Sequence, residues 1–144
     1  MTRPAIHQVL PVLAARDAVG HHTAALRDLI RSLGVDSEIF TPDRHADAHV
    51  EAHHPDELGH SEGATWLLYH ASTDSELAGW LLDRPEPLLL DYHNITPAEL
   101  FAPWEPSVGA RLVEARRQLG LLVADAHTVV ADSRYNASEL RRLG

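Results

Sequence analysis

A chain of 144 residues, 44% hydrophobic and 23% charged, has the length and composition of one ordinary globular domain able to bury its own core. Its net charge of −9 sits in residues 1–100, where six arginines face sixteen acids; residues 101–144 carry six against five, so general nucleic-acid binding is disfavoured. With no cysteine and no lysine, disulfides, zinc–thiolate sites, thiol nucleophiles and Schiff-base or P-loop lysine chemistry are excluded, and a cytoplasmic location is the expectation.

The chain opens without the pattern of a secretory signal, and no stretch approaches the roughly 20 apolar residues of a membrane span. A first strand is predicted over Ala5–Leu13. A helix follows from about Gly20 to Leu33, with His22, Leu26, Leu29, Ile30 and Leu33 on its inner face and Gly34 as the C-terminal cap. Ser37–Thr41 reads as a second strand, stopped by Pro42. Residues 43–63 are polar, acidic and histidine-rich, and are expected to form a mobile loop with room for a short strand. Thr65–Tyr69 is a third strand and Ser75–Leu82 a short helix. Leu88–Tyr92 is a fourth strand, apolar enough to be buried on both faces. The longest helix is predicted from Ser107 to Ala124, with a stripe of Val108, Leu112, Ala115, Leu119, Leu122 and Val123. Thr128–Ala131 is a fifth strand. Asn136 with Glu139 reads as a capping box opening a last helix that Gly144 ends. This alternation predicts an α/β domain, a Rossmann-like parallel sheet with helices on both faces.

Ligands of open parallel sheets bind outside the carboxyl ends of the strands. Four predicted loops place polar residues there: Arg16-Asp17-Ala18-Val19-Gly20-His21-His22, His70-Ala71-Ser72-Thr73, Asp91-Tyr92-His93-Asn94-Ile95-Thr96-Pro97 and Asp132-Ser133-Arg134. Gly20 permits close backbone approach where a helix start offers N–H groups to an anion, though packing explains it equally well. Arg16 reads as a solvated loop charge. His93, just past a buried strand, suits an acid, a base or a hydrogen-bond donor to a hydroxyl, or a side chain that fixes its own loop. The same residue types also serve as caps and turns.

Ile6-His7-Gln8-Val9-Leu10-Pro11, Asp17-Ala18-Val19-Gly20, Leu68-Tyr69-His70-Ala71-Ser72, Tyr92-His93-Asn94-Ile95-Thr96-Pro97 and Ala131-Asp132-Ser133-Arg134-Tyr135-Asn136 occur in one order across about residues 5–143. In these segments the chain resembles the N-terminal, acceptor-side domain of family 4 retaining glycosyltransferases, which have the GT-B fold. The resemblance implies that residues 1–144 form one half of such an enzyme. The nucleotide-sugar donor would be held mainly by a second domain, which this chain does not contain, so the chain alone is expected not to catalyse transfer. It also implies retention of configuration, no bound metal or other cofactor, and a glycan or small-molecule acceptor. His93 would lie beside the transferred sugar as the catalytic position. Asp17, Gly20, His70, Ser72, Asn94, Thr96, Asp132, Ser133 and Arg134 are the candidate substrate contacts. A half-enzyme of this kind is expected to expose apolar surface or self-associate through its interdomain face, with Arg134, Arg141 and Arg142 nearby.

Other readings weigh less. Ser72, His93 and Asp132 could compose a hydrolase triad, but the G-x-S-x-G elbow is missing. His45, Asp47, His49, Glu51, His53, His54 and His60 offer metal ligands without a spacing that demands a closed site, and a variable loop accounts for them. A Rossmann-like module that binds a sugar, a nucleotide or a partner without chemistry is the alternative of a different class.

Overall fold

In the computed structural model, which describes residues 3–59 and 63–143, the chain begins with β1 (Ala5–Val9) and β2 (Val12–Leu13). The single strand expected over Ala5–Leu13 is therefore two. Pro11 lies between them and has no N–H to give a ladder, so the chain turns off the main sheet there. Helix α1 (Ala18–Ser32) follows, then β3 (Ile39–Phe40) and β4 (Asp43–Arg44). Next come β5 (Thr65–Ala71), α2 (Leu77–Leu82), β6 (Leu88–Tyr92), α3 (Pro106–Asp125), β7 (Thr128–Ala131) and α4 (Arg134–Leu140). Five strands form one parallel sheet in the order β3-β1-β5-β6-β7, while β2 and β4 pair in a small parallel ribbon.

Successive side chains of a strand point to opposite faces. Val9, Leu67, Tyr69, Leu88, Leu90 and Tyr92 fall on one face, where they bury against Leu77 and Leu81 of α2 and Ala115, Leu119 and Leu122 of α3. Leu140 of α4 joins the same cluster. Each such buried leucine contributes about 1.5–3 kcal/mol of transfer free energy. Helix α1 packs on β1 and β3 from the opposite face, over a smaller cluster of Leu10, Leu13, Ile39 and Ala48. Strand β6 has the expected bounds and is buried on both faces. Its odd member, Asp91, faces away from the main core, because the residue alternation puts it there.

Three local expectations change. The buried residues of α1 are Gly20, Thr23 and Ile30, whereas Leu29 and Leu33 are exposed (54% and 73%), so the inner stripe is rotated from the expected one. Helix α4 starts one turn earlier than expected, with Ser133 as its N-cap; Asn136 and Glu139 are buried in tertiary contacts instead of forming a capping box. The predicted end of this helix at Gly144 lies outside the described residues. The histidine-rich segment is built into the fold over its described residues 43–59. Arg44 donates to the carbonyls of Ala48 and Val50, Ala48 is buried, Phe40 bridges His53, and residues Pro55–Glu57 form a 3-10 turn capped by His54. At the end of α1, Gly34 adopts φ 81°, the left-handed conformation expected of a C-terminal cap.

Candidate functional site

The register of the parallel sheet assembles a polar cluster at the carboxyl ends of its central strands. Residue His70 of β5 pairs directly with Asp91 of β6, and His93 follows Asp91 by two residues, hence on the same side. Tyr92 pairs with Ala131 of β7, which brings Asp132 beside His93. Helix α1 starts over this face and adds His22 from above. The result is a set of close contacts: His70 Nδ1 to His93 Nε2 at 2.9 Å, His93 Nε2 to Asp91 Oδ2 at 3.2 Å, and His22 Nε2 to Asp91 Oδ2 at 3.2 Å. His70 Nδ1 lies 3.6 Å from the same carboxylate oxygen, and His93 Nδ1 lies 3.8 Å from Asp132 Oδ2.

Deeper residues orient these groups. His70 is fully buried, and its Nε2–H donates to Gln8 Oε1 at 2.9 Å, while the Gln8 amide nitrogen is turned to Ser37 Oγ at 3.5 Å. That fixes the His70 tautomer and leaves Nδ1 bare toward the cluster. Asn136 Nδ2 donates to Asp132 Oδ1 and holds that carboxylate in place. Burial depresses the pKa of His70, so its neutral form is favoured. Burial alone would raise the Asp91 carboxyl; its interactions with the adjacent His70 and His93 rings outweigh it and hold Asp91 far below the usual carboxylate range. Asp91 is therefore a carboxylate in the midst of three imidazoles.

The loop after β6 departs sharply. Asn94 has φ 81°, the left-handed region that asparagine tolerates better than most residues, and strain of this kind concentrates at functional sites. Below it, Tyr92 Oη accepts from Ile95 N at 3.0 Å and donates to Glu139 Oε2 at 3.0 Å; Arg116 binds both Glu139 and the Ile95 carbonyl. These bonds fasten the His93–Pro97 loop to α3 and α4.

Of the candidate contacts, His70, His93 and Asp132 come together directly. Asn94 and Thr96 are exposed on the same loop, and Ser72 is half-buried just past β5. Both ring nitrogens of His93 are directed at His70, Asp91 and Asp132, so this arrangement supplies Ser72 with no general base. Asp17 and Gly20 mark the start of α1. Asp17 is its N-cap and accepts from Val19 N (3.2 Å) and Gly20 N (2.9 Å), so these N–H groups are already engaged and are not open to an anion. Gly20 is buried where a Cβ would come 2.9 Å from Leu13 Cδ1, a packing constraint. Ser133 caps α4, with Arg134 exposed as its first residue. His22 and Asp91 belong to the polar segments expected on this rim, but neither they nor Gln8 were among the candidate contacts. Only the spacing of Asp91 and His93 on one strand edge, and the place of His22 in the first turn of α1, hinted at them.

The loop histidines are scattered by comparison: His45 faces Asp43 at 3.9 Å, His53 lies near Glu38 and Glu57 at 3.7 and 3.5 Å, and His54 lies 3.3 Å from Asp56. His60 is outside the described residues. Among the described residues, no helix is long and apolar enough to cross a membrane. Comparison of this chain with protein-family models, with curated proteins and with solved structures finds no match.

Proposed function

We propose that this chain is the acceptor-side domain of a retaining, GT-B-type glycosyltransferase, which moves a sugar from a nucleotide-sugar donor to a glycan or small-molecule acceptor. The observation that carries the reading is the convergence of separate motif segments on one rim: His70, His93 and Asp132, from three different strand ends, lie in contact beside the start of α1. A parallel sheet presents this edge to ligands. In this reading His93 offers Nδ1, which lies 3.8 Å from Asp132 Oδ2 and so beyond hydrogen-bond distance of it, to a hydroxyl of the transferred sugar, while His70 and Asp91 hold Nε2. As the diphosphate leaves and positive charge develops on the sugar, the half-exposed Asp132 carboxylate of the rim stabilises it. The donor diphosphate itself is bound by a second domain, and the acceptor enters over the exposed Asn94–Thr96 edge. The absence of cysteine fits a cytoplasmic setting for this chemistry.

The reading is tested with the full-length product of the gene and a panel of uridine, guanosine and adenosine diphosphohexoses. Transfer to sugar or polyol acceptors, with the anomeric configuration of the donor kept in the product by proton NMR, is the expected result. Inversion of configuration, or saturable binding of donors without transfer to any acceptor, would overturn it; the latter would make the domain a binding module.

A further inference from the structure

The geometry points to a divalent transition-metal site at the rim, formed by His22 Nε2, His70 Nδ1, His93 Nε2 and Asp91 Oδ2. These four donor atoms lie within 4.8 Å of one another. Four of their separations, at 2.9, 3.2, 3.2 and 3.6 Å, bracket the spacing of about 3.3 Å that ligands at zinc–nitrogen bond lengths of roughly 2.05 Å have in a tetrahedron. Three imidazoles and one carboxylate are a donor set suited to zinc and its neighbours and poorly suited to calcium or magnesium.

The lone pairs support the assignment. Because His70 spends its Nε2–H on Gln8, its Nδ1 can only accept. Asp91, as a carboxylate, can only accept as well. His93 Nε2 faces both, and a proton there could serve one of them at a time. If His93 instead keeps its proton on Nδ1, toward Asp132, then Nε2 is bare too, and three lone-pair-bearing atoms converge on one point. A cation at that point satisfies them all. The outer partners have the form common around bound metals, with ligating histidines whose second nitrogen meets an amide oxygen or a carboxylate. His22, half-exposed while His70 is fully buried, lies on the side from which an ion enters. This inference does not depend on the transferase reading, and it departs from the metal-free chemistry that the sequence resemblance implies.

The test uses the 144-residue chain, stripped with a chelator and titrated with Zn²⁺ by calorimetry, with bound metal counted by elemental analysis. One equivalent should bind tightly, and Co²⁺ in its place should give the visible absorption of a tetrahedral site. His22→Ala, at a half-exposed position, should weaken that equivalent by more than the roughly 10- to 100-fold that loss of an outer partner costs. The double variant His45→Ala/His49→Ala should leave it unchanged. Asp91→Asn serves as a second ligand variant, with circular dichroism confirming that each variant is folded. Binding lost in His45→Ala/His49→Ala and kept in His22→Ala would overturn the proposal in favour of surface histidines. So would the absence of any tight equivalent, with NMR showing both nitrogens of His93 protonated: the cluster would then be a hydrogen-bonded imidazolium–carboxylate network.

Discussion

The phenol of Tyr92 sits at a junction of three elements. It accepts from the Ile95 amide, donates to Glu139, and is buried, and burial raises its pKa above the ordinary tyrosine value. Tyr92→Phe keeps the ring in the core but leaves the Ile95 N–H and one Glu139 oxygen short of a partner in a dry place. The expected cost is about 1–3 kcal/mol of folding stability, read from urea unfolding. A loss below about 0.5 kcal/mol, the range of ordinary surface changes, would mean that the loop is held mainly by Arg116. Such residues show why the site was only partly legible in the sequence. His93, His70 and Asp132 stood out because each is a polar residue at the end of an apolar strand, a local signal. His22 meets Asp91 across 69 residues and Tyr92 meets Glu139 across 47, contacts that no local pattern encodes. Glu139 accordingly read as half of a capping box, when its carboxylate is the acceptor for a tyrosine and an arginine from other elements.

At the level of elements, strands β5, β6 and β7 and helix α3 were readable almost to the residue, because each is a continuous apolar run or a long periodic stripe bounded by turns. The misread elements are those in which tertiary packing overrides local pattern. Pro11 splits the first strand, and α1 turns a threonine inward beside the expected Ile30 while two leucines stay in solvent. Helix α3 also holds two glycines with opposite expectations. A Cβ at Gly109 would lie 2.7 Å from Ala102 Cβ and 2.8 Å from its Cα, and backbone cannot yield as a flexible side chain can. A Cβ at Gly120 would meet nothing within 4 Å. Gly120→Ala should therefore stabilise the fold by up to about 1 kcal/mol through helix propensity. Gly109→Ala should destabilise it by about 1–3 kcal/mol, because overpacking against Ala102 exceeds the same gain. Thermal melts of the two variants check this; a shift of the same sign in both would contradict the close approach of residues 98–104 to α3.

Over the whole molecule, the parallel topology is what gathers the polar cluster on one edge. All five strands of the main sheet run the same way, so all their carboxyl ends, and every loop that follows them, share one edge. Nearby, Leu100, Phe101 and Trp104 are exposed in the segment between that edge and α3, Trp104 by 83%. The overall class of fold could be read from strand–helix alternation alone; which side chains meet on the shared edge could not, because that depends on register and on the rotation of α1.

The most direct test of this account is the turnover of a nucleotide-hexose by the full-length gene product, comparing wild type with His93→Ala and His93→Gln. His93 is more enclosed than a residue that merely projects into a cleft, with its side chain 9% exposed, so the glutamine variant, which keeps a hydrogen-bonding amide, guards against a folding defect. If the rim is where the sugar reacts, both variants should melt close to the wild type, and His93→Ala should lose about 10²-fold in kcat, equivalent to about 2–3 kcal/mol of transition-state stabilisation. Turnover equal to the wild type in folded His93→Ala would contradict the account and leave His93 as a residue that only fixes its own loop.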